Sequence, residues 1–129
     1  MYSLFVLGLL LLCLGGASEA IMDKIMFHYD RSIFKSLKNQ IFFDPNLSWR
    51  NKYKKNQLIP KFPGSTTIFV SLTDMWHLAK LAKHLFTFGG LFILAFNSVT
   101  NWELFSVFVV GRILYGLSFE LTFSKLLEK

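Results

Sequence analysis

Residues 62–84 read FPGSTTIFVSLTDMWHLAKLAKH, and they join a basic part of the chain to an apolar part. Pro63 and Gly64 end the preceding element, Ser65 suits a helix N-cap, and no helix breaker follows before Gly89. The sequence therefore predicts a helix that begins at Ser65. Everything before this helix has the composition of a basic surface segment, and everything after it has the composition of membrane spans.

The predicted helix has one polar face and one apolar face. Polar and apolar residues each recur at helical spacing, with Thr66, Thr73, His77, Lys80 and His84 on one side and Ile68, Leu72, Met75, Ala79 and Ala82 on the other. Asp74 and His77 stand at i, i+3, a spacing at which a carboxylate and an imidazole can share a metal ion, with His84 as a third candidate ligand. We expect Asp74 and His77 to form a polar clamp between helices instead, with no metal or other cofactor bound.

The composition of the chain indicates an all-α integral membrane protein with three transmembrane helices. Of its 129 residues 53% are hydrophobic, and fifteen are phenylalanine, more than a soluble domain of this length requires. We divide it into an N-terminal transmembrane helix (1–21), a basic amphipathic helix with an aromatic and basic loop (22–62), and an interfacial helix followed by a two-span hairpin and a short charged tail (63–129). Cys13 is the only cysteine, which excludes a disulfide within one chain.

The N-terminal apolar run has two interpretations. A signal peptide is one, because Ser18 and Ala20 are small residues at the spacing that a signal peptidase recognises. No Lys or Arg precedes the run, however, and with its flanking residues it reaches the roughly 20 residues that a spanning helix needs. We therefore favour a retained membrane helix. Small residues would let it pack closely against another helix, and these are Gly8, Gly15, Gly16 and Ala17.

A basic amphipathic helix is predicted over residues 22–37. Its apolar side would enter the headgroup layer, while its basic side and the following loop would meet anionic lipid. Residues 22–62 contain nine Lys and Arg against three Asp, which equals the net charge of the whole chain, +6. The residues expected at the lipid surface are Lys24, Arg31, Lys35, Lys38, Arg50, Lys52, Lys54 and Lys55.

The loop over residues 42–55 interleaves aromatic and basic side chains. Such a pattern could stack the bases and hold the phosphates of single-stranded nucleic acid. Next to membrane spans, the same residue types more often form an interfacial belt. Because the flanking segments are apolar and no RNA-binding motif is present, we expect the loop to contact lipid and not nucleic acid.

The distribution of positive charge predicts the orientation of the chain. Two further spans are predicted at residues 85–99 and 104–123, and the first must draw in part of the preceding turn to cross the hydrocarbon core. Thirteen of the fourteen Lys and Arg lie in residues 22–84 or in the C-terminal tail. The positive-inside rule therefore predicts an inner-membrane protein with its basic loop and C-terminus in the cytoplasm.

The last predicted span contains two charged residues, Arg112 and Glu120. An arginine at the centre of the bilayer costs from about 3 to more than 10 kcal/mol, so we expect Arg112 to face the other helices. Arg112, Gly116 and Glu120 form one stripe, but the two charges lie about 12 Å apart along the helix axis. The candidate partners of Arg112 are Asp74, Glu19 and Asp23.

A series of short motifs occurs between residues 19 and 84. They are AIMD (20–23), FH (27–28), SIF (32–34), SWRNKY (48–53), FPGSTT (62–67) and TDxWHL (73–78). In this combination they resemble a family of small membrane proteins associated with Bacteroidota and their phages. The resemblance implies no activity. It does imply that the N-terminal segment belongs to the mature protein, and it does not extend to the two spans after His84.

Two classes of function follow from these features. The first is a non-enzymatic accessory or interaction component whose basic platform binds anionic headgroups, with a membrane-protein partner or a second copy of the chain as a further binding partner. The second is a membrane-embedded enzyme or carrier for a lipid-like substrate. Its candidate catalytic residues at the cytoplasmic interface are Asp23, His28, Asp74, His77 and His84. A small lytic or pore-forming protein would have a similar size and number of spans.

Overall fold

The fold consists of three long helices and a series of short helical turns. The computed structural model describes residues 2–55, 57–98 and 100–129, and these residues form no β-strand. The long helices are α1 (Tyr2–Phe27), α4 (Met75–Asn97) and α5 (Asn101–Leu121), with α5 continuing into a π-helical turn (Thr122–Leu126); the short ones are α2 (Gln40–Phe43) and α3 (Pro45–Ser48). The predicted all-α class is confirmed.

All three long helices have the length and composition of membrane spans. The candidate spans are Ser3–Phe27, Met75–Asn97 and Asn101–Leu126. A span needs about 20 residues, and each of these exceeds that length. The middle span reaches its length by including the residues before Leu85, as predicted. Its predicted last residue, Val99, lies outside the described residues.

Helix α1 lies at the centre, with α4 and α5 packed against it and few contacts between α4 and α5. Glycines make both packings close. A Cβ on Gly8 would lie 2.6 Å from Leu94 Cγ of α4, and a Cβ on Gly16 would lie 2.3 Å from the Tyr115 carbonyl oxygen of α5. The predicted small-residue packing is therefore confirmed at Gly8 and Gly16.

The predicted amphipathic helix over residues 22–37 is wrong. Helix α1 continues to Phe27, and the chain then turns through two 3₁₀ turns, Tyr29–Arg31 and Ile33–Ser36. Ile25 and Phe34 are buried in one apolar cluster together with Leu127 from the C-terminal tail. Burial of these side chains by a distant part of the chain overrides the local helical pattern.

The predicted helix start at Ser65 is also wrong, since α4 begins ten residues later at Met75. Ser65 is buried within the preceding loop, where its hydroxyl donates to the Lys52 carbonyl at 2.7 Å and accepts from the Lys61 amide at 3.1 Å. Gly64 has a φ of 80°, a left-handed conformation that does not occur within a right-handed α-helix. Residues 28–74, between α1 and α4, are called the surface segment below.

The C-terminal tail returns to the surface segment. The Ile33 amide donates to the Leu127 carbonyl at 3.1 Å, and the Lys129 amide donates to the Arg31 carbonyl at 2.9 Å. The tail and the surface segment therefore lie at the same end of the helix bundle. This end carries most of the Lys and Arg residues.

Candidate functional site

An open cleft in the surface segment combines apolar walls with basic side chains. Its volume is about 670 Å³, within the range of ligand-binding clefts. The apolar lining includes Ile41, Trp49 and Leu58, and both Trp49 and Leu58 are strongly exposed, at 48% and 80%. The cations that line it are Arg50, Lys54, Lys55 and Lys61. An amphiphilic anion could place its apolar part against the apolar walls and its negative charge beside the basic side chains.

Two turns of the backbone build this cleft. Asp44 caps α3 by accepting from the Asn46 amide at 2.8 Å, and α3 leads directly into the 3₁₀ turn Trp49–Lys52. An isolated bridge between Tyr53 and Pro60 then closes a loop, with the Lys54 amide donating to the Ile59 carbonyl at 2.8 Å. Trp49 and the basic residues that follow it are thereby brought against the same cleft.

The cations of the cleft have no acidic partner among the described residues. Arg50 lies 5.3 Å from the centre of the Trp49 ring, and Lys61 Nζ donates to Asn51 Oδ1 at 2.7 Å. No ion pair joins Arg50, Lys54 or Lys55 to a carboxylate within the part of the chain that the structure describes. Their charge is therefore available to an external anion.

Most of the predicted lipid-surface residues are accessible. The exposed ones are Arg31, Lys35, Lys38, Arg50, Lys54 and Lys55, and Lys52 is half-buried over the Tyr53 ring. Lys35 forms an exposed ion pair with Asp30. Such a pair contributes little to stability, so it does not remove Lys35 from the basic surface.

Lys24 is the exception, and its assignment to the lipid surface is wrong. It is 1% exposed, its Nζ donates to the Phe123 carbonyl at 3.2 Å, and it forms an ion pair with Glu128. The hydrogen bond from Lys24 holds the pKa of the Glu128 carboxyl below its usual value. Sequence patterning missed this pair because the two residues are 104 positions apart.

The Asp74 carboxylate caps its own helix. One oxygen accepts from the His77 amide at 2.9 Å, and the other lies 2.7 Å from His77 Nδ1. The predicted contact between Asp74 and His77 is therefore present, but the clamp between helices is wrong, because both residues belong to the start of α4. His84 stacks on Phe88 with 6.0 Å between ring centres.

Asp23 and His28 line a second open cleft, of about 470 Å³, between the ends of α1 and α5. Glu120 and Glu128 also line this cleft, whereas Asp74, His77 and His84 do not. The five candidate catalytic residues are thus not brought into one cluster. Within the described ranges no three His, Cys, Asp or Glu residues are grouped so that they could hold a metal ion. The absence of a cofactor remains a prediction.

A polar network joins the three long helices at the level of Glu19. The Glu19 carboxylate of α1 forms an ion pair with Lys83 of α4 and accepts from the Tyr115 hydroxyl of α5 at 2.7 Å. A Cβ on Gly15 would lie 2.5 Å from Thr87 Oγ1, so the glycine permits close approach around the network. This pairing leaves the Lys83 side chain partly buried inside the bundle.

Arg112 and Glu120 are both exposed on α5, so the prediction that Arg112 faces the other helices of its own chain is wrong. The α1 side of α5 is formed by other residues, including Gly111 against Leu12 and Ser118, whose hydroxyl donates to the Cys13 carbonyl. Of the three candidate partners of Arg112, Glu19 interacts with it electrostatically, but no described acid forms an ion pair with it.

Comparison of the chain with protein-family models, with curated proteins and with solved structures gave no match. The resemblance to small membrane proteins of Bacteroidota and their phages therefore remains a prediction.

Proposed function

We propose that this protein is a non-enzymatic membrane component whose surface segment binds anionic lipid headgroups. The observation that carries the proposal is the cleft of the surface segment, where Trp49 and Leu58 adjoin cations that lack an acidic partner. The segment is joined at both ends to helices with the composition of membrane spans, Ser3–Phe27 and Met75–Asn97. Lipid would therefore be present at high effective concentration beside the cleft.

The charge of the segment supports an anionic headgroup as the ligand. Each Lys or Arg near an anionic leaflet contributes about 1 kcal/mol, and an exposed tryptophan suits the headgroup region. By the positive-inside rule we expect this basic end to lie in the cytoplasm, and we expect the protein to lie in the inner membrane. The C-terminal tail, which contacts Arg31 and Ile33, would share that side.

The alternative of a membrane-embedded enzyme or carrier is not favoured by a specific contact. It requires the Asp and His candidates to act together, whereas Asp74 caps α4 by accepting from the His77 amide and His84 stacks on Phe88. Asp23 and His28 share the smaller cleft with other carboxylates. We therefore retain lipid binding as the proposed function, with a protein partner as a further binding partner.

The proposal is tested by lipid binding to the full-length protein in a neutral detergent. Short-chain phosphatidylglycerol should bind more tightly than phosphatidylcholine, and calorimetry should show weaker binding as salt rises. Replacing Arg50, Lys54 and Lys55 by Gln removes three charges from the cleft. We expect a loss of affinity of up to about 100-fold, from about 1 kcal/mol per charge.

A matched control removes three exposed charges outside the cleft and outside the predicted lipid-surface residues, through Lys80→Gln, Lys125→Gln and Lys129→Gln. This variant should retain most of its affinity, because its substitutions leave the lining of the cleft intact. An equal loss in both triple variants would show that diffuse charge, not the cleft, attracts the lipid. Equal binding of both lipids at every salt concentration would contradict the proposed function itself.

A further inference from the structure

We propose that a loop just before α4 inserts apolar side chains into the boundary between the headgroups and the acyl chains of the membrane. This apolar loop comprises residues 67–72 and includes the 3₁₀ turn Val70–Leu72. Three of its side chains are large and strongly exposed, Ile68 at 83%, Leu72 at 60% and Phe69 at 50%. None of the three lines the cleft of the surface segment, so their insertion is a separate property from the binding of anionic headgroups.

The position of the apolar loop in the chain indicates that lipid covers it. Leu72 comes three residues before Met75, the first residue of the candidate span Met75–Asn97. The 23 residues of this span rise about 34 Å as a helix, a few ångströms more than the roughly 30 Å thickness of the hydrocarbon core. The start of α4 therefore lies at the surface of the membrane, and the apolar loop lies beside it.

A tryptophan in the first turn of α4 supports this depth. Trp76 is the second residue of the helix, and Lys80 Nζ lies 4.9 Å from the centre of its ring. Tryptophan and lysine side chains suit the headgroup region, because their apolar parts can contact lipid while their polar ends reach water. The apolar loop thus ends four residues before a side chain with the chemistry of the membrane interface.

The burial of side chains around the apolar loop is the reverse of what water favours. Ser65 and Thr73, which lie on either side of the loop, are buried, and their hydroxyls donate to backbone carbonyls at 2.7 Å. The large apolar side chains between them are exposed instead. An exposed apolar patch usually marks an interaction surface, because leaving it in water forfeits the main gain of folding. Contact with lipid recovers that gain for Ile68, Phe69 and Leu72.

Hydrogen bonds within the backbone hold the apolar loop in this shape. The Gly64 carbonyl accepts from the Thr67 amide at 3.0 Å and from the Phe69 amide at 2.9 Å, and the Phe69 carbonyl accepts from the Leu72 amide at 3.0 Å. A Cβ on Gly64 would lie 2.7 Å from Phe69 Cδ2, so the ring of Phe69 lies against the glycine. Unpaired backbone groups are costly near acyl chains, and these bonds reduce that cost while the backbone stays at the level of the headgroups.

Hydrogen bonds on both sides of the apolar loop join it to the cleft of the surface segment. Before the loop, the Ser65 hydroxyl bonds to the backbone of Lys52 and Lys61. After the loop, Asn51 Nδ2 donates to the Thr73 carbonyl at 2.5 Å. Asn51 and Lys61 also line the cleft. Insertion of the loop therefore holds the cleft at the level of the headgroups, a consequence that rests on the proposed function.

The test measures the depth of spin labels on the full-length protein in phosphatidylcholine bilayers. Nitroxides are attached one at a time through Ile68→Cys, Leu72→Cys and Lys38→Cys in a Cys13→Ser background, and circular dichroism of each labelled protein checks its fold. Oxygen is concentrated among the acyl chains and a water-soluble nickel chelate is excluded from them, so the ratio of their collision rates reports depth. We expect a ratio several-fold higher at residues 68 and 72 than at residue 38, an exposed position of the surface segment outside the apolar loop.

Two outcomes would overturn the proposal. One is a label at residues 68 and 72 that collides with nickel as often as the label at residue 38, which would place the apolar loop in water. The other is shielding of these labels from both reagents, which would show that a protein partner or a second copy covers the loop. Phosphatidylcholine carries no net charge, so labels at acyl depth support insertion even if the cleft shows no preference for phosphatidylglycerol. Labels in water overturn insertion even if the cleft shows that preference.

Discussion

The contact between α1 and α5 at Gly16 leads to a sharp prediction for Gly16→Ala. The new Cβ would lie 2.3 Å from the Tyr115 carbonyl oxygen, which belongs to the backbone and cannot rotate away. A carbon atom in contact with a carbonyl oxygen needs about 3.3 Å, so the two helices must separate locally by roughly 1 Å. Overpacking of this kind costs about 1–3 kcal/mol, and the higher helix propensity of alanine offsets up to about 1 kcal/mol.

We therefore expect a net destabilisation of about 1–2 kcal/mol for Gly16→Ala. The measurement is unfolding of the purified protein in mixed micelles of increasing denaturing-detergent content, followed by circular dichroism. Gly89→Ala is the matched control, because its Cβ would meet only Leu11 Cδ1 at an ordinary 3.8 Å. That variant should be as stable as the wild type or slightly more stable. Equal stability of the two variants would refute the packing argument.

Two further predictions concern polar contacts. Asp74→Ala should lower the free energy of unfolding by about 1 kcal/mol, because it removes the cap of α4 and the contact with His77. Asp74→Ser is the control and should retain most of the cap. Unfolding of both variants in mixed micelles distinguishes them, and an Asp74→Ala variant as stable as the wild type would argue against the cap. The Glu128 carboxyl has a folded-state pKa below 4.5, so its ion pair with Lys24 stabilises the protein above that pH and is lost as the pH falls through the lowered value. The free energy of unfolding, measured between about pH 3 and pH 7, should fall toward acid pH in the wild type and should fall less in Glu128→Gln. Identical pH profiles of the two proteins would contradict a contribution of this ion pair to stability.

The membrane helices could be predicted from the sequence because their signal is local. A helix satisfies its backbone hydrogen bonds within one segment, so a run of apolar residues of sufficient length is enough to identify a span. The same holds for Gly8 and Gly16, whose small size marks a packing face, and for Asp74 and His77, which meet because they are three residues apart on one turn.

The surface segment could not be predicted in the same way. The pattern of residues 22–37 is amphipathic, but the structure buries Ile25 and Phe34 in a cluster with Leu127 and leaves Met26, Ile33 and Leu37 exposed. Lys24, the first lysine of the segment, is buried and pairs with Glu128, about a hundred residues away. Ser65 has the chemistry of an N-cap, yet its hydroxyl is used by Lys52 and Lys61 in a loop. Local propensities of a few tenths of a kcal/mol per residue yield to such tertiary contacts.

The sequence by itself determined the three spans, the excess of positive charge between the first two, and the small-residue face of the first helix, because each depends on composition or on neighbours within one or two helical turns. Only the tertiary structure decided which charges meet. Glu19 pairs with Lys83 and Tyr115, Lys24 pairs with Glu128, and Arg112 is left on the outer face of α5. These outcomes depend on how α4, α5 and the tail are rotated against α1, and that rotation is set by side-chain packing between segments distant in the chain.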